Sequence, residues 1–179
     1  MKNFLKMSIG DWICRHHSIQ QVQKTMVLAG YPGVGKSVYF KENKGTLVSD
    51  SDSSLFSWVE TPEGKVRNPD FPNNYIEHIK RCIDNNYSIV FVSTHKDVLK
   101  ALYENSIAFT VVYPARNLKE EYLKRYRERG SDEGFINLMD RMWDQFHDDI
   151  DKLEKVPKIE LLTPETTMVN AIQHLTVMR

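Results

Sequence analysis

The sequence predicts an α/β fold of three layers, in which a parallel sheet of about five strands lies between helices and carries a helical lid. Short apolar runs alternate along the chain with segments whose apolar residues recur at helical spacing. Two of these runs, residues 88–93 and 107–113, are apolar through their interiors, as expected of strands covered on both faces. Strands that alternate with helices pair in parallel, so their carboxyl ends meet at one edge, where ligands bind.

The predicted elements follow in chain order. The strands are residues 25–29, 46–49, 88–93, 107–113 and 158–162. The helices begin at Ser37, cover 73–85 and 96–104, and resume near Pro164. Residues 61–74 are rich in proline and glycine, which predicts a loop over the substrate side of the sheet.

The segment 117–151 interrupts the alternation because it is helical throughout and contains no strand. Gly130 suits a helix C-cap, and Ser131 or Asp132 suits the N-cap of the next helix, so the segment divides into two helices. Aromatic and aliphatic residues form a stripe on the second half, which favours core packing over a ligand site. We expect residues of about 116–153 to form the helical lid.

The most specific motif is residues 30–37, which read Gly-Tyr-Pro-Gly-Val-Gly-Lys-Ser and match the P-loop pattern G-x-x-x-x-G-K-[ST] at every fixed position. Glycines let the backbone curl so that its N–H groups face a phosphate chain. Lys36 is expected to reach the β- and γ-phosphates, and the Ser37 hydroxyl to bind Mg²⁺. A strand before the motif and a helix after it predict the P-loop NTPase fold, with ATP and Mg²⁺ as cofactors. The expected nucleotide-binding residues are Gly30, Gly33, Val34, Gly35, Lys36, Ser37 and Val38.

Two aspartates, Asp50 and Asp52, directly follow the second predicted strand. A carboxylate at this edge could accept a proton from an attacking hydroxyl or hold Mg²⁺ through water. The same Ser-Asp-Ser-Asp-Ser-Ser run also suits the capping of a helix, and the sequence leaves both interpretations open. We take Asp50 as the preferred catalytic carboxylate because it lies nearer the strand end.

Arginines after the fourth strand supply candidate groups for the transferring phosphate. Arg116 lies just past the strand end, and Arg125 and Arg129 are four residues apart on one helix face. The planar arginine fork binds phosphate oxygens in pairs and stays charged. The alternative is a solvated helix with internal pairs such as Glu121 with Arg125.

The end of the third strand argues against two other P-loop classes. Hydrolytic P-loop ATPases usually carry a metal-binding Asp there, and this chain has Ser93. The following Thr94-His95-Lys96-Asp97 lacks the Asn of the guanine-binding Asn-Lys-x-Asp pattern.

Together these features resemble the small P-loop kinases of nucleosides, nucleotides and polynucleotide ends, over residues 25–179. The phosphate loop and the stretch 68–75, Asn-Pro-Asp-Phe-Pro-Asn-Asn-Tyr, are similar to small kinases encoded by phages of Gram-positive bacteria. The resemblance implies ATP-dependent phosphotransfer, with Asp50 as the acceptor-side carboxylate and the lid arginines on the transferring group. It also implies that the segment between the second and third strands binds the acceptor, through Asp52, Trp58, Arg67, Asn68, Phe71, Asn74 and Tyr75. This chain departs from adenylate kinases because neither Arg67 nor Arg81 lies in a convincing monophosphate-binding motif.

Composition and charge indicate which partners and which cellular compartment to expect. A formal net charge of zero argues against broad electrostatic binding to nucleic acid, and no apolar run approaches the length of a membrane span. Two cysteines without metal spacing, Cys14 and Cys82, suit a cytoplasmic protein with reduced thiols. Residues 1–24 lack the apolar core of a secretion signal and are expected to be an N-terminal extension before the kinase domain at 25–179.

Three functions remain open. The first is transfer of the ATP γ-phosphate to a nucleoside monophosphate or a nucleoside. The second is a kinase acting on a hydroxyl of DNA or RNA, at a 5′ end or on a modified base, with the basic stretch 116–129 and Trp58 and Phe71 binding the strand. The third is a non-catalytic nucleotide-binding module.

Overall fold

The central feature of the fold is a parallel sheet of five strands. The computed structural model describes residues 24–178. The strands of the chain are β1 (Met26–Gly30), β2 (Val48–Asp50), β3 (Trp58–Thr61), β4 (Gly64–Arg67), β5 (Ile89–Ser93), β6 (Thr110–Pro114) and β7 (Lys158–Leu161). The main sheet has the order β2-β5-β1-β6-β7, and all its pairs are parallel. The predicted α/β class and its five parallel strands are therefore confirmed.

Seven α-helices among the described residues surround this sheet. They are α1 (Lys36–Glu42), α2 (Ser54–Ser57), α3 (Asn73–Asp84), α4 (Lys96–Glu104), α5 (Lys119–Glu128), α6 (Glu133–Asp151) and α7 (Met168–Val177). Helix α1 packs against α7, and α3 packs against α4. Right-handed crossovers place these two pairs on opposite faces of the sheet, which gives the three layers. No described helix is both long enough and apolar enough to pass through a bilayer.

The core lies along the three middle strands, β5, β1 and β6. In the register of the sheet, Leu28 lies between Phe91 and Thr110, and the leucine and the phenylalanine are fully buried. Helices cover both faces of these strands, so nearly every position is apolar and no alternation with polar residues appears. This is why the strands were readable from the sequence as continuous apolar runs.

One segment differs from the prediction. Residues 61–74, expected to be a loop, contribute to an antiparallel hairpin of β3 and β4, in which Trp58 pairs with Arg67 and Thr61 with Gly64. Gly64 adopts a left-handed conformation (φ 117°) that closes the tight turn. Both strands are largely exposed, so they lack the buried apolar pattern that marks the strands of the main sheet. The last helix also begins later than expected, at Met168, behind a capping box of Thr167 and Asn170.

The helical pair α5–α6 forms as the sequence predicts. Gly130 turns the chain in a left-handed conformation (φ 74°), and the Asp132 carboxylate caps α6 by accepting a hydrogen bond from the Phe135 N–H at 3.1 Å. The stripe on α6 is buried against the rest of the domain at Ile136, Met139, Trp143 and Ile150. The predicted N-terminal extension lies outside the described residues except for Lys24.

Candidate functional site

The loop between β1 and α1 has the backbone geometry of a phosphate cradle. Gly33 and Gly35 adopt positive φ angles of 82° and 99°, in the region that side chains disfavour. Gly35 is the N-cap residue of α1, and its carbonyl accepts the hydrogen bond of the Tyr39 N–H at 3.0 Å. A Cβ atom at Gly33 would lie 2.9 Å from the Tyr126 ring, so a side chain there would collide with α5. Gly33 and Gly35 are thus required for their backbone conformation, and Gly33 also because a side chain there would not fit.

Lys36 curls back over this loop. Its ammonium donates hydrogen bonds to the carbonyl oxygens of Gly30, at 2.5 Å, and Tyr31, at 3.3 Å. Burial lowers the pKa of Lys36 to about 8; the Asp50 and Asp52 carboxylates oppose this shift, and Arg129 adds to it. An anion in this loop would favour the charged form further, so the side chain is suited to bind phosphate.

A cleft of about 390 Å³ opens at this loop, at the carboxyl ends of β1, β2 and β5. Its walls come from the loop, the end of β2, the end of β5 and the turn between α5 and α6. The lining residues are Gly30, Pro32, Lys36, Ser37, Asp50, Ser51, Asp52, Ser53, Ser93, Thr94, Arg129 and Phe135. A larger hollow of about 820 Å³ lies at the opposite edge of the sheet, but its walls are mostly apolar and it is remote from the motif. We therefore take the smaller cleft as the candidate site.

The carboxylates at the end of β2 face this cleft. The Asp52 Oδ1 atom accepts a hydrogen bond from the Ser54 N–H, the first residue of α2, at 2.9 Å. One oxygen of Asp52 therefore serves the start of this helix, as the capping interpretation expects. The segment is anchored from behind by Tyr75, whose hydroxyl donates to the Ser51 carbonyl at 2.5 Å. Tyr75 is completely buried, so it supports the acceptor side of the cleft and is not placed to contact a substrate as expected.

A polar chain that the sequence analysis missed also supports this segment. The buried Ser51 hydroxyl lies 2.9 Å from the His78 Nε2 atom and 2.9 Å from the Ser49 hydroxyl. Burial, and to a lesser degree the charge of Arg81, lowers the pKa of His78, which favours the neutral ring. The available signal was that Tyr75 and His78 share a face of the predicted helix.

Of the candidate arginines, Arg129 alone lines the cleft. Its Nε donates to the Ser131 hydroxyl at 2.7 Å, and its guanidinium lies over the rings of Tyr126 and Phe135 at 4.8 and 5.5 Å. Stacking and a hydrogen bond hold the planar group at the cleft while leaving donors free for an anion.

Arg125 and Arg116 are directed elsewhere. Arg125 lies over the Tyr122 ring and donates to the Pro164 carbonyl. Arg116, expected at the phosphate edge, binds three carboxylates on α6; its guanidinium nitrogens lie 3.6 Å from Asp144, 2.5 Å from Asp148 and 2.9 Å from Asp151. These bonds raise the pKa of Arg116 and lower that of Asp148. The short 3₁₀ turn Arg116–Leu118 sends the side chain along α6, away from the cleft.

Some of the expected acceptor-binding residues lie on the exposed hairpin, and others form hydrogen bonds that hold the backbone in place. Trp58 and Arg67 face each other on the exposed hairpin, and the Arg67 guanidinium lies 5.7 Å from the Trp58 ring centroid and 4.5 Å from that of Phe71. Asn68 and Asn74 instead donate their amide N–H groups to the Phe56 carbonyl, at 3.0 and 2.9 Å. The two asparagines fasten the end of the hairpin and the start of α3 to α2, and Trp58, Arg67 and Phe71 form one cluster on this side of the domain.

The donor set fits Mg²⁺ bound together with a nucleotide. Within residues 24–178 there is no group of three or more His, Cys, Asp or Glu side chains that could hold a metal by themselves. Mg²⁺ in phosphoryl-transfer sites keeps several waters and takes one or two protein ligands besides the phosphates. The Ser37 hydroxyl is the group of the cleft that suits this role.

No family model matches the chain, and no curated protein matches it. The structure shows a three-layer α/β fold with a five-stranded parallel sheet, and the activity must be argued from the site.

Proposed function

We propose that this protein is an ATP-dependent phosphotransferase, a P-loop kinase that moves the γ-phosphate to a nucleoside monophosphate or a nucleoside. The observation that carries the proposal is the convergence of Lys36, Asp50 and Arg129 on one cleft. These are a phosphate-loop cation, a carboxylate and a second cation from the turn after α5, which are the groups that phosphoryl transfer requires.

Each residue has a distinct role in this proposal. Bound Mg²⁺-ATP supplies the phosphoryl group and the metal that neutralises its oxygens. Lys36 exchanges its bonds to the Gly30 and Tyr31 carbonyls for phosphate oxygens, and Ser37 offers its hydroxyl to the metal. Arg129 stabilises the charge that spreads over the transferring group, and Asp50 orients the acceptor oxygen.

Transfer is favoured over simple hydrolysis by the end of β5. Ser93 stands where hydrolytic P-loop enzymes carry a carboxylate, and its hydroxyl accepts the His95 N–H at 3.0 Å. The carboxylates of the cleft lie at the end of β2 instead, on the side of the hairpin that offers an acceptor surface.

A second candidate is a kinase that acts on a hydroxyl of DNA or RNA. The hairpin favours it, because Trp58 is 48% exposed and Arg67 lies against its ring, an arrangement suited to stacking on bases of a single strand.

An acceptor screen tests both candidates. Protein, Mg²⁺ and ATP labelled at the γ-position are mixed with nucleosides, nucleoside monophosphates or 5′-hydroxyl oligonucleotides. Lys36→Ala serves as the blank, and Lys41→Ala, an exposed lysine of the same helix, as the matched control. Label in a mononucleoside or mononucleotide product supports the first candidate, and label only in an oligonucleotide supports the second. ATP binding without transfer to any acceptor would leave a nucleotide-binding module.

A further inference from the structure

Charge is divided unevenly across the cleft. Its two cationic lining residues, Lys36 and Arg129, belong to the phosphate loop and to the turn after α5. The wall toward the hairpin consists of the run Asp50, Ser51, Asp52 and Ser53, and Ser93 and Thr94 complete the lining beside it. The donor side is therefore positive, and the acceptor side carries carboxylates and hydroxyl groups.

Nearby cations do not reverse this balance. Arg116 and Arg125 bind partners outside the cleft, and Lys65 on the hairpin pairs with Glu60 at 3.3 Å. Arg67 is stacked against Phe71 on the hairpin side and is not among the residues that line the cleft. Beside the hairpin, the cleft is thus lined by Asp50 and Asp52 and by no cation.

The two acceptor types of a P-loop kinase need opposite surroundings. A phosphate acceptor is a dianion whose attacking oxygen has already lost its proton, so it needs cations and is repelled by carboxylates. A hydroxyl acceptor is neutral and must lose a proton as it attacks, so it needs a carboxylate within hydrogen-bond reach.

We infer that the acceptor is a hydroxyl group and that the product is a phosphomonoester, not a phosphoanhydride. This inference rests on the proposed phosphotransferase function and narrows its acceptor class. Asp50 accepts the hydroxyl proton while the acceptor oxygen bonds to the γ-phosphorus. The bond from that phosphorus to the β–γ bridging oxygen breaks, and its electron pair leaves with ADP. Asp50 is assigned as the base because one oxygen of Asp52 is occupied by the Ser54 N–H.

The bond formed in the product tests the inference directly. Deoxynucleosides and their 5′-monophosphates, and oligonucleotides with a 5′-hydroxyl or a 5′-phosphate, are each offered with Mg²⁺-ATP, and products are examined by ³¹P NMR. We expect a new monoester resonance without phosphorus–phosphorus coupling. A coupled resonance of a nucleoside diphosphate would overturn the inference while leaving the phosphotransferase proposal intact. No product from any acceptor would count against the phosphotransferase proposal and the inference together.

A binding measurement supplies a readout that does not depend on turnover. The affinities of thymidine and thymidine monophosphate are measured by calorimetry on protein loaded with a non-hydrolysable ATP analogue. We expect the monophosphate to bind no more tightly than thymidine, and Asp50→Asn and Asp52→Asn to raise its affinity about tenfold by removing repulsion. Asp70→Asn, an exposed aspartate outside the cleft lining, is the matched control. A monophosphate that binds more tightly than thymidine to the unaltered protein would contradict the inference.

The kinetic variant completes the test. If Asp50 takes the hydroxyl proton, Asp50→Asn lowers kcat by about 100-fold with little change in the KM for ATP. An unchanged kcat in both Asp50→Asn and Asp52→Asn would show that no base is required, as for a phosphate acceptor.

Discussion

At the scale of single residues, Lys36 links phosphate binding to pH. Its pKa is about 8 in the free protein, and a bound phosphate favours the charged form and raises that pKa. Binding therefore takes up a proton above pH 8, where the phosphates of ATP are already fully ionised.

The expected result is an ATP affinity that is constant below pH 8 and falls about tenfold per pH unit above it. Calorimetry in buffers with different ionisation enthalpies measures the proton uptake. Lys36→Met removes the titrating group and should abolish the uptake along with most of the affinity. Equal proton uptake in Lys36→Met would show that another group is responsible.

Arg125 in α5 and Arg129, the C-cap residue of that helix, support a second prediction, because their side chains have different surroundings. Arg129 lines the cleft, whereas Arg125 is bound to the Pro164 carbonyl. Arg129→Ala should lower kcat by about tenfold or more, and Arg125→Ala should leave kcat nearly unchanged. Arg127→Ala, an exposed neighbour, controls for the loss of charge on this helix. Steady-state kinetics with the acceptor found in the screen measure kcat for each variant. Equal losses of kcat in Arg125→Ala and Arg129→Ala would contradict the prediction.

His78 provides a third prediction, about a group that acts through another. The His78 Nε2 atom lies 2.9 Å from the Ser51 hydroxyl. Ser51 lies between Asp50 and Asp52 in the chain, so this contact can position both carboxylates. His78→Leu should lower kcat about tenfold through misplacement of Asp50, with the KM for ATP unchanged. His78→Gln keeps a hydrogen-bonding group and should recover part of the loss.

A double-mutant cycle with Ser51→Ala separates this role from a general loss of stability. If both residues act through one hydrogen bond, the effect of His78→Leu on kcat disappears in the Ser51→Ala background. Glu77→Gln, an exposed position on the same helix, controls for changes to α3. Additive losses would mean that His78 acts by some other route.

At the scale of secondary-structure elements, aromatic packing fastens the phosphate loop to the helical pair α5–α6. The ring of Tyr31 in the loop packs against the rings of Tyr122, Trp143 and His147. The Tyr126 hydroxyl donates to the Pro32 carbonyl at 3.0 Å. The buried faces of the two helices are thus part of the core.

This packing makes the fourth prediction. Trp143 is 1% exposed and donates its indole N–H to the Arg116 carbonyl at 2.9 Å. Trp143→Ala should lower the free energy of unfolding by about 3 to 5 kcal/mol, because it leaves a large cavity and an unpaired carbonyl. Leu138→Ala on the same helix, where the side chain is 40% exposed, should cost about 1 kcal/mol or less. Urea unfolding measures both, and similar losses would show that the cluster is not a tight core.

At the scale of the whole molecule, the parallel sheet explains why the site forms where it does. The strands β1, β2 and β5 are neighbours and run in one direction, so the phosphate loop, the aspartates and Ser93 end at the same edge. Helices on both faces leave this edge open, and the turn between α5 and α6 covers one side of it. Connectivity alone thus assembles groups that are far apart in the chain.

Most features of this sheet edge could be predicted, because each depends on residues that are close together in the chain. The glycine positions of the loop and the aspartates at the end of β2 follow from motif spacing and from the direction of a parallel strand. The hairpin could not be predicted, because both strands are exposed and carry no buried apolar pattern. The destinations of the arginines were equally hidden, since the partners of Arg116 lie 28 to 35 residues further along the chain.

By itself, the sequence determined the fold class, the glycine-rich loop after β1 and the carboxylates at the sheet edge, because each depends on contacts between residues close in the chain or on strand direction. Only the tertiary structure decided that Arg129 and not Arg116 lines the cleft, that Tyr75 supports and does not face the acceptor, and that His78 reaches Ser51. The physical reason is that side-chain direction and burial are set by long-range packing. The type of a residue limits the roles that it can take, and its neighbours in the folded structure determine which of these roles it has.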